Sequence, residues 1–362
     1  MEPQRTRSGR LSRPPARGTA VVALLALAAA GIAGLACQRD RRTPLLVYSP
    51  HGRDLLGLVQ RSFEARHPDV AVHWLDMGSQ DVYDRVRSEE ANPQGDVWFG
   101  GPRSIFARGA ADGLLAPYRP PWAAAVPETS RGRDDLYFGV YRTAPVLVFN
   151  SQAVPAAEAP RDWDDLLDLR FHQRLLIRDP LASGTMRTVF GMVLARSVEE
   201  TGSPDRGFAW LRRLDDQTKE YLQNPALLME KLDRREGVVT IWELTDMLWQ
   251  KKRGAPLDFR FPPSGTPVID DSVGLIKGAP HAAQARAFID FVGSAEGQLL
   301  AASQAFRLPA RTDLPPAQLP AWAQEVLRDL IPAKVNWDLI DRHGQEWMMT
   351  WDRNVRGHGS GH

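Results

Sequence analysis

The side chains best placed for chemistry in this chain sit in four short loops: Tyr48-Ser49-Pro50-His51-Gly52, Met77-Gly78-Ser79-Gln80, Phe99-Gly100-Gly101-Pro102 and Leu181-Ala182-Ser183-Gly184-Thr185. Each follows an apolar run and precedes a helix-forming stretch. At such a joint the first backbone N–H groups of the helix are free and its dipole is positive, so the loop favours an anionic or polar guest. Ser49, Ser79, Ser183 and Thr185 add hydroxyls, and Gly52, Gly100, Gly101 and Gly184 let backbone approach a ligand closely. Each residue also has a plain structural role open to it. His51 is a cleft residue or a surface or capping histidine. Ser79 and Gln80 touch a ligand or cap the helix that follows. Gly100 and Gly101 donate backbone amides or only allow tight packing. Ser183 is an ordinary N-cap in the alternative, and Arg187 either pairs with an anion bidentately or is a solvated helix residue. The chemistry implied is capture of a solute more than its turnover.

Other motifs are missing. The sequence has no Gly-x-Ser-x-Gly elbow, no His-Glu-x-x-His pair and no Gly-x-x-x-x-Gly-Lys loop. Its single cysteine excludes a cysteine-rich zinc site and any intrachain disulfide. No cofactor or resident metal is expected. A secreted hydrolase with a triad assembled in space stays open as an alternative. Formal net charge is +1, and five arginines of the first 17 residues stand against one glutamate, so the remainder is weakly acidic and nucleic acid is not an expected partner.

The elements that must position these loops follow from periodicity. Leu45–Tyr48, Val70–Leu75 and Asp96–Phe99 read as strands, alternating with helices over Asp54–Arg66, Asp81–Ala91 and Arg103–Ala111. A βαβαβα run implies a parallel sheet with helices on both faces. After a Pro-rich stretch, strands are expected at Tyr137–Tyr141, Val146–Asn150, Leu175–Ile177, Val238–Trp242, Leu257–Phe261 and Asp271–Ile276, with helices between them. Two helices close the chain, over Pro320–Leu330 and Val335–Trp351. The expected fold is α/β with two lobes, each a mostly parallel sheet with flanking helices. Residues 45–144 plus 272–354, including the C-terminal helices, form the first lobe; residues 145–271 form the second. Crossings near Thr143–Val146 and Pro267–Ser272 make a hinge, with Ser264-Gly265-Thr266 as turn chemistry beside it. Asp270-Asp271 at that crossing serves a ligand hydroxyl, a cation or hinge solvation. Residues 355–362 read as a disordered tail.

Residues 1–36 combine a basic segment, an uncharged apolar run from Ala20 to Ala36 and small residues at its end, which describes a secretory signal. An uncleaved anchor is the alternative, because the run is just long enough to span a bilayer. Gly34-Leu35-Ala36-Cys37 resembles a lipobox, with Leu35 one place nearer the cysteine than usual. Cys37 is then the lipidated residue, residues 37–44 are a tether, and the folded part lies outside the cytoplasm on a lipid anchor.

Several stretches together resemble the extracellular solute-binding proteins of bacterial ABC importers, in the group that binds ferric iron, phosphonates or sugar phosphates. They are Leu46-Val47-Tyr48-Ser49, Asp96-Val97-Trp98-Phe99-Gly100-Gly101-Pro102, Gly113-Leu114-Leu115-Ala116-Pro117-Tyr118, Trp163-Asp164-Asp165-Leu166-Leu167, Ser183-Gly184-Thr185, Ile276-Lys277-Gly278-Ala279-Pro280-His281 and Arg307-Leu308-Pro309-Ala310-Arg311. The resemblance implies a type II periplasmic-binding fold that closes on a small solute and delivers it to a membrane permease, working as a monomer. It also bears on the second lobe. Ferric-binding members hold iron with adjacent tyrosines near the strand that here reads Val239-Thr240-Ile241-Trp242-Glu243, and no Tyr-Tyr pair occurs in this sequence. Trp242 stacks on a ring or covers an apolar face instead, and Glu243 joins Asp271 among the expected contacts. An anionic, phosphorylated or phosphonate solute fits this set; iron or an iron chelate is the alternative, with Glu243, Asp246 and His51 as oxygen and nitrogen donors. A ligand-sensing lipoprotein would share the same fold and site.

Overall fold

The computed structural model describes residues 41–358. The leader, Cys37 and residues 359–362 lie outside them. The chain begins with β1 (Thr43–Ser49), α1 (Gly52–Glu64), β2 (Val70–Asp76), α2 (Ser79–Ser88), β3 (Val97–Pro102) and α3 (Arg103–Ala111). Here β1 pairs in parallel with both β2 and β3. The pairing follows from the side chains: Leu45 and Val47 are buried under Leu55, Leu56, Val59 and Phe63, which recur on one face of α1. Tyr48 and Trp98 face the other way and are covered by Val82, Tyr83 and Phe106 of α2 and α3. β4 (Leu115–Ala116) and β5 (Phe138–Thr143) follow.

Ala144 alone separates β5 from β6 (Pro145–Asn150), which belongs to a different sheet. The second sheet adds β7 (Leu175–Arg178), then α4 (Gly184–Thr201), α5 (Asp205–Gln217), β8 (Thr218–Leu222), α6 (Pro225–Asp233), β9 (Val239–Glu243), α7 (Leu244–Lys252) and β10 (Leu257–Arg260). The chain returns to the first sheet on β11 (Ile269–Ile276), continues through α8 (Ala282–Gly293), α9 (Ala295–Ala305) and β12 (Leu308–Pro309), and ends with α10 (Ala321–Asp329) and α11 (Trp337–Asn354). The strand orders are β12-β5-β11-β3-β1-β2, with β4 on β11, and β10-β6-β9-β7-β8. Two lobes joined by extended crossings are what the sequence implies.

Three features differ from expectation. Both sheets are mixed rather than mostly parallel. The chain leaves the first lobe on β5 and re-enters on β11, so this adjacent pair runs antiparallel, with Ile269 opposite Thr143. A helical crossover would have forced parallel pairing; an extended hinge does not. Second, the C-terminal helices bury their apolar faces mainly on the second lobe, while touching the first through Trp322 Nε1 of α10 on Ala302 O of α9 at 3.0 Å and Arg108 Nη1 of α3 on Gln345 Oε1 of α11 at 3.1 Å. Ala323 and Val326 of α10 join Val146, Val148 and Trp242 on one face of the second sheet, while Ile340, Trp347, Met348 and Trp351 of α11 join Phe190, Leu194 and Ile241 on the other. Periodicity shows that a helix buries a face but not which layer receives it. The chain therefore crosses a third time, and Thr266 fixes that crossing by donating its amide to Ile331 O at 2.9 Å and accepting from Ala333 N at 2.8 Å. Third, order continues past residue 354: Val355 is fully buried, and Arg356 reaches Asp179 at 2.7 Å. Several elements are missing from the sequence reading, among them α9, β8 and the two-residue strands β4 and β12. α9 is rich in small residues with little amphipathic contrast, and β8 is a charged edge strand.

Candidate functional site

Six strand-to-helix joints meet at one cavity of about 480 Å³. The first lobe contributes the starts of α1, α2 and α3, and the second those of α4, α6 and α7. Strands of an α/β layer deliver helix starts to one edge, which is why residues far apart in sequence converge there. At α1, α2, α3 and α7 the residue at the N-cap position offers no side-chain hydrogen bond to the first amides. At α4, Ser183 Oγ accepts from Met186 N at 3.3 Å, and at α6 Asn224 Oδ1 accepts from Leu227 N at 3.1 Å. The cavity thus faces several positive helix ends at once.

Two arginines and several carboxylates set its charge. Arg307, 4 % exposed, donates through Nη1 to Thr245 Oγ1 at 3.1 Å and through Nη2 to the His51 carbonyl at 3.3 Å. The same Nη1 lies 4.0 Å from Glu243 Oε2 and 4.0 Å from Asp271 Oδ2. Glu243 also accepts from the Thr185 hydroxyl, and Asp271 from the Gly101 amide at 3.3 Å. Burial pushes the Glu243 carboxyl up to about 7, with Asp271 and Asp246 adding repulsion and Arg307 opposing. Burial likewise pushes Asp271 up to about 6 against the pull of Arg307. Near neutral pH these carboxyls are poised between accepting and donating hydrogen bonds. Arg178 closes β7 at the cavity wall, with Nη1 on Leu222 O at 3.1 Å.

His51 is neutral, because burial, and then the charge of Arg307, hold its pKa well below the usual imidazole value. Its ring lies 4.7 Å from Phe99 and edge-on to Tyr141 at 5.9 Å, and its Nε2 has no partner. Trp242 is almost fully buried, and its Nε1 donates to Asp246 Oδ2 at 3.0 Å, so the indole presents a fixed wall. Among the described residues no group of three or more His, Cys, Asp or Glu side chains is arranged to hold a metal ion.

The family model of bacterial extracellular solute-binding proteins matches residues 45–307, the stretch that contains every joint just described. The chain belongs to this family. It is 27 % identical over 321 residues to a Sinorhizobium fredii protein named as an ABC transporter periplasmic-binding protein, covering 86 % of each chain. It is 28 % identical over 255 residues to a Salmonella typhimurium protein named for 2-aminoethylphosphonate binding, covering 68 % of this chain and 72 % of that one. Its fold is similar to the periplasmic binding protein AfuA of Actinobacillus pleuropneumoniae, solved with fructose-6-phosphate, at a TM-score of 0.76 and 24 % identity over 87 % of this chain and 99 % of that one. The family is one of solute-binding proteins, not of enzymes, and it acts outside the cytoplasm.

In this solute-binding protein His51, Gly52, Ser79, Gly101, Ser183, Gly184, Thr185, Trp242, Glu243 and Asp271 all line the cavity. Four residues singled out from sequence do not. Ser49 is fully buried and accepts from the His51 amide at 3.2 Å, shaping the turn. Gly100 lies behind the His51 ring at φ +102°, where any Cβ would fall on the imidazole. Gln80 bonds Asp84 at 3.0 Å along α2, and Arg187 reaches back to Leu181 O at 3.1 Å. Both sit inside helices whose 3.6-residue period turns them off the cleft edge.

Residues that sequence reasoning passed over as contacts include Arg307, Arg178 and Asn224. A signal was present for two of them. Arg178 ends the apolar run Leu175-Leu176-Ile177, and Arg307 precedes Leu308-Pro309; a charged residue at the end of a buried strand faces whatever that sheet edge holds.

Proposed function

We propose that this cleft captures a small anionic solute carrying a phosphate or phosphonate group and hands it to the permease of an ABC importer. The observation that carries the reading is the convergence of six helix starts and the Arg178 guanidinium on one cavity. Free amides and helix dipoles suit an oxyanion, and a guanidinium fork adds a charge-assisted pair. Glu243 and Asp271, with carboxyls lifted toward neutrality, donate to ligand oxygens or accept from its hydroxyls. Trp242 lies against the organic part of the ligand. Joints from both lobes complete the set, so the ligand is held by lobe closure and released by opening. Phosphonate binding in the name of the Salmonella relative agrees with this chemistry. Ferric iron fits less well: Trp242 does not ligate, and Arg307 stands beside the two carboxylates that a cation would need. Residues 1–36 act as a signal peptide, Cys37 carries the lipid that anchors the protein, and the protein works as a monomer.

A thermal-shift screen of the chain from Cys37 onward, against 2-aminoethylphosphonate, sugar phosphates, inorganic phosphate and ferric citrate, tests the ligand. A ligand held at a hundred times its Kd stabilises the folded state by about 2.7 kcal/mol. Stabilisation by a phosphorylated or phosphonate compound, reduced in Arg178→Gln, is expected; stabilisation by ferric citrate alone overturns the ligand class. Fatty-acid labelling of the full chain, abolished by Cys37→Ala, checks the anchor, and sedimentation checks the monomer.

A further inference from the structure

A second cavity, of about 810 Å³, shares the wall of Pro102, Ala182 and Gly184 with the cleft but extends between α3, the start of α4 and α11. Six arginines line it against three aspartates. Two of these arginines come from different lobes. Arg108 lies on α3 and Arg187 on α4, and each donates Nη1 at 3.1 Å to the same acceptor, Gln345 Oε1 of α11. Neither has a carboxylate within salt-bridge distance among the described residues; Arg108 instead lies over the Tyr83 ring at 4.0 Å. Arg103 at the same cavity has a buried Nε without a partner, and its nearest carboxylate, Asp341, is 3.9 Å away. The two guanidinium forks share one neutral amide oxygen, Arg187 adds the Leu181 carbonyl through Nη2 at 3.1 Å, and both are met by neutral groups, whereas guanidinium groups pair best with bidentate oxyanions. Burial, and then the charge of Arg108, lower the Arg187 pKa to about 10 against the pull of Asp84 and Asp179.

We propose that this cavity is a second anion site, which takes a small polyanion of at least two charges between Arg108 and Arg187 and thereby ties the two lobes together. The class is a bisphosphate, pyrophosphate or polycarboxylate, because one charge neutralises only one of the two forks. Without it, like charges face each other across the lobe seam; with it, the seam becomes attractive. Binding there favours the closed form, so by linkage it raises affinity in the cleft and is itself tightened by the cleft ligand. The proposal does not rest on the identity of the cleft ligand.

The test uses the full chain in detergent, titrated with sodium pyrophosphate and with citrate at fixed ionic strength, followed by calorimetry and by thermal midpoint. Pyrophosphate binding should survive unchanged in Arg178→Gln, which weakens the cleft, and weaken about tenfold or more in Arg108→Gln/Arg187→Gln, the loss expected for a charge-assisted pair. Gln345→Glu places a carboxylate between the two arginines. It should raise the midpoint without added anion and abolish the response to pyrophosphate, which keeps the test informative even if the double variant folds poorly. Binding unchanged in Gln345→Glu, binding lost with Arg178→Gln, or binding of an acidic peptide such as hexaglutamate but of neither small anion, overturns the proposal.

Discussion

Arg307 Nη1 lies 4.0 Å from Glu243 Oε2, and the two residues belong to different lobes. Arg307 follows α9 of the first lobe, Glu243 ends β9 of the second, and Asp271 on the hinge strand β11 shares the same guanidinium. One buried cation thus stands between a buried carboxylate, Asp271, and a half-buried one, Glu243, at the point where the lobes meet. Removing it leaves both uncompensated. Arg307→Met is expected to cost about 3–5 kcal/mol in urea unfolding, the usual penalty for breaking a buried ion pair from one side.

The raised carboxyl of Glu243 makes stability depend on pH. Its folded value, about 7, exceeds its unfolded value, so its contribution is full below the unfolded value and is lost as pH rises through the folded one. Glu243→Gln mimics the protonated form. Its melting temperature should exceed that of the unmodified protein at pH 8, and the difference should shrink toward pH 5. Buried neutral His51 acts in the opposite direction as pH falls, and comparing the two proteins at each pH cancels its effect. A gap that widens on acidification would refute the assignment.

Gly100 holds space for the His51 ring. Gly100→Ala drives a methyl onto the imidazole at a left-handed φ, and a cost of about 2–4 kcal/mol is expected from overpacking and backbone strain together. Displacing His51 also moves the carbonyl that Arg307 holds, so ligand affinity should fall with stability. Chemical denaturation and titration calorimetry read the two effects.

Arg178 supplies the cleft with a guanidinium that feels Asp179, Glu243 and Asp246 but makes its side-chain hydrogen bond to a neutral carbonyl, Leu222 O at 3.1 Å. Arg178→Gln should weaken a phosphorylated ligand about tenfold, equivalent to about 1.4 kcal/mol, while changing the melting temperature of the unliganded protein little. Equal loss for neutral and phosphorylated ligands would argue for a structural role.

Trp351 of α11 is fully buried with its ring 5.4 Å from that of Phe190 in α4. Trp351→Ala should cost about 3–5 kcal/mol. Amide exchange should rise first in α4 and α5 of the second lobe. Exchange rising first in α1 or α8 would contradict the placement of the C-terminal helices.

Much of this was legible in the residues. Leu45, Val47, Leu55, Val59 and Phe63 reveal a strand and helix of βαβ type because burial imposes periods of 2 and 3.6 on any chain. Ser183-Gly184-Thr185 and Gly100-Gly101 mark helix starts because caps and close backbone approach need those residue types. The same local rules gave no sign that Gly100 faces a histidine ring or that Gln80 and Arg187 turn from the cleft into a second cavity. Those facts depend on neighbours from other elements.

By itself, then, the sequence determined the two-lobed α/β class, the crossings near Thr143 and Asp271, and the loops that meet at one cavity, because each is written in local pattern. Only the tertiary structure decided that α10 and α11 complete the second lobe, that Arg307 stands between Glu243 and Asp271, and that Arg108 and Arg187 share Gln345. Burial and charge balance are properties of what surrounds a side chain, and long-range packing brings those surroundings from residues as far apart as Arg108 and Gln345.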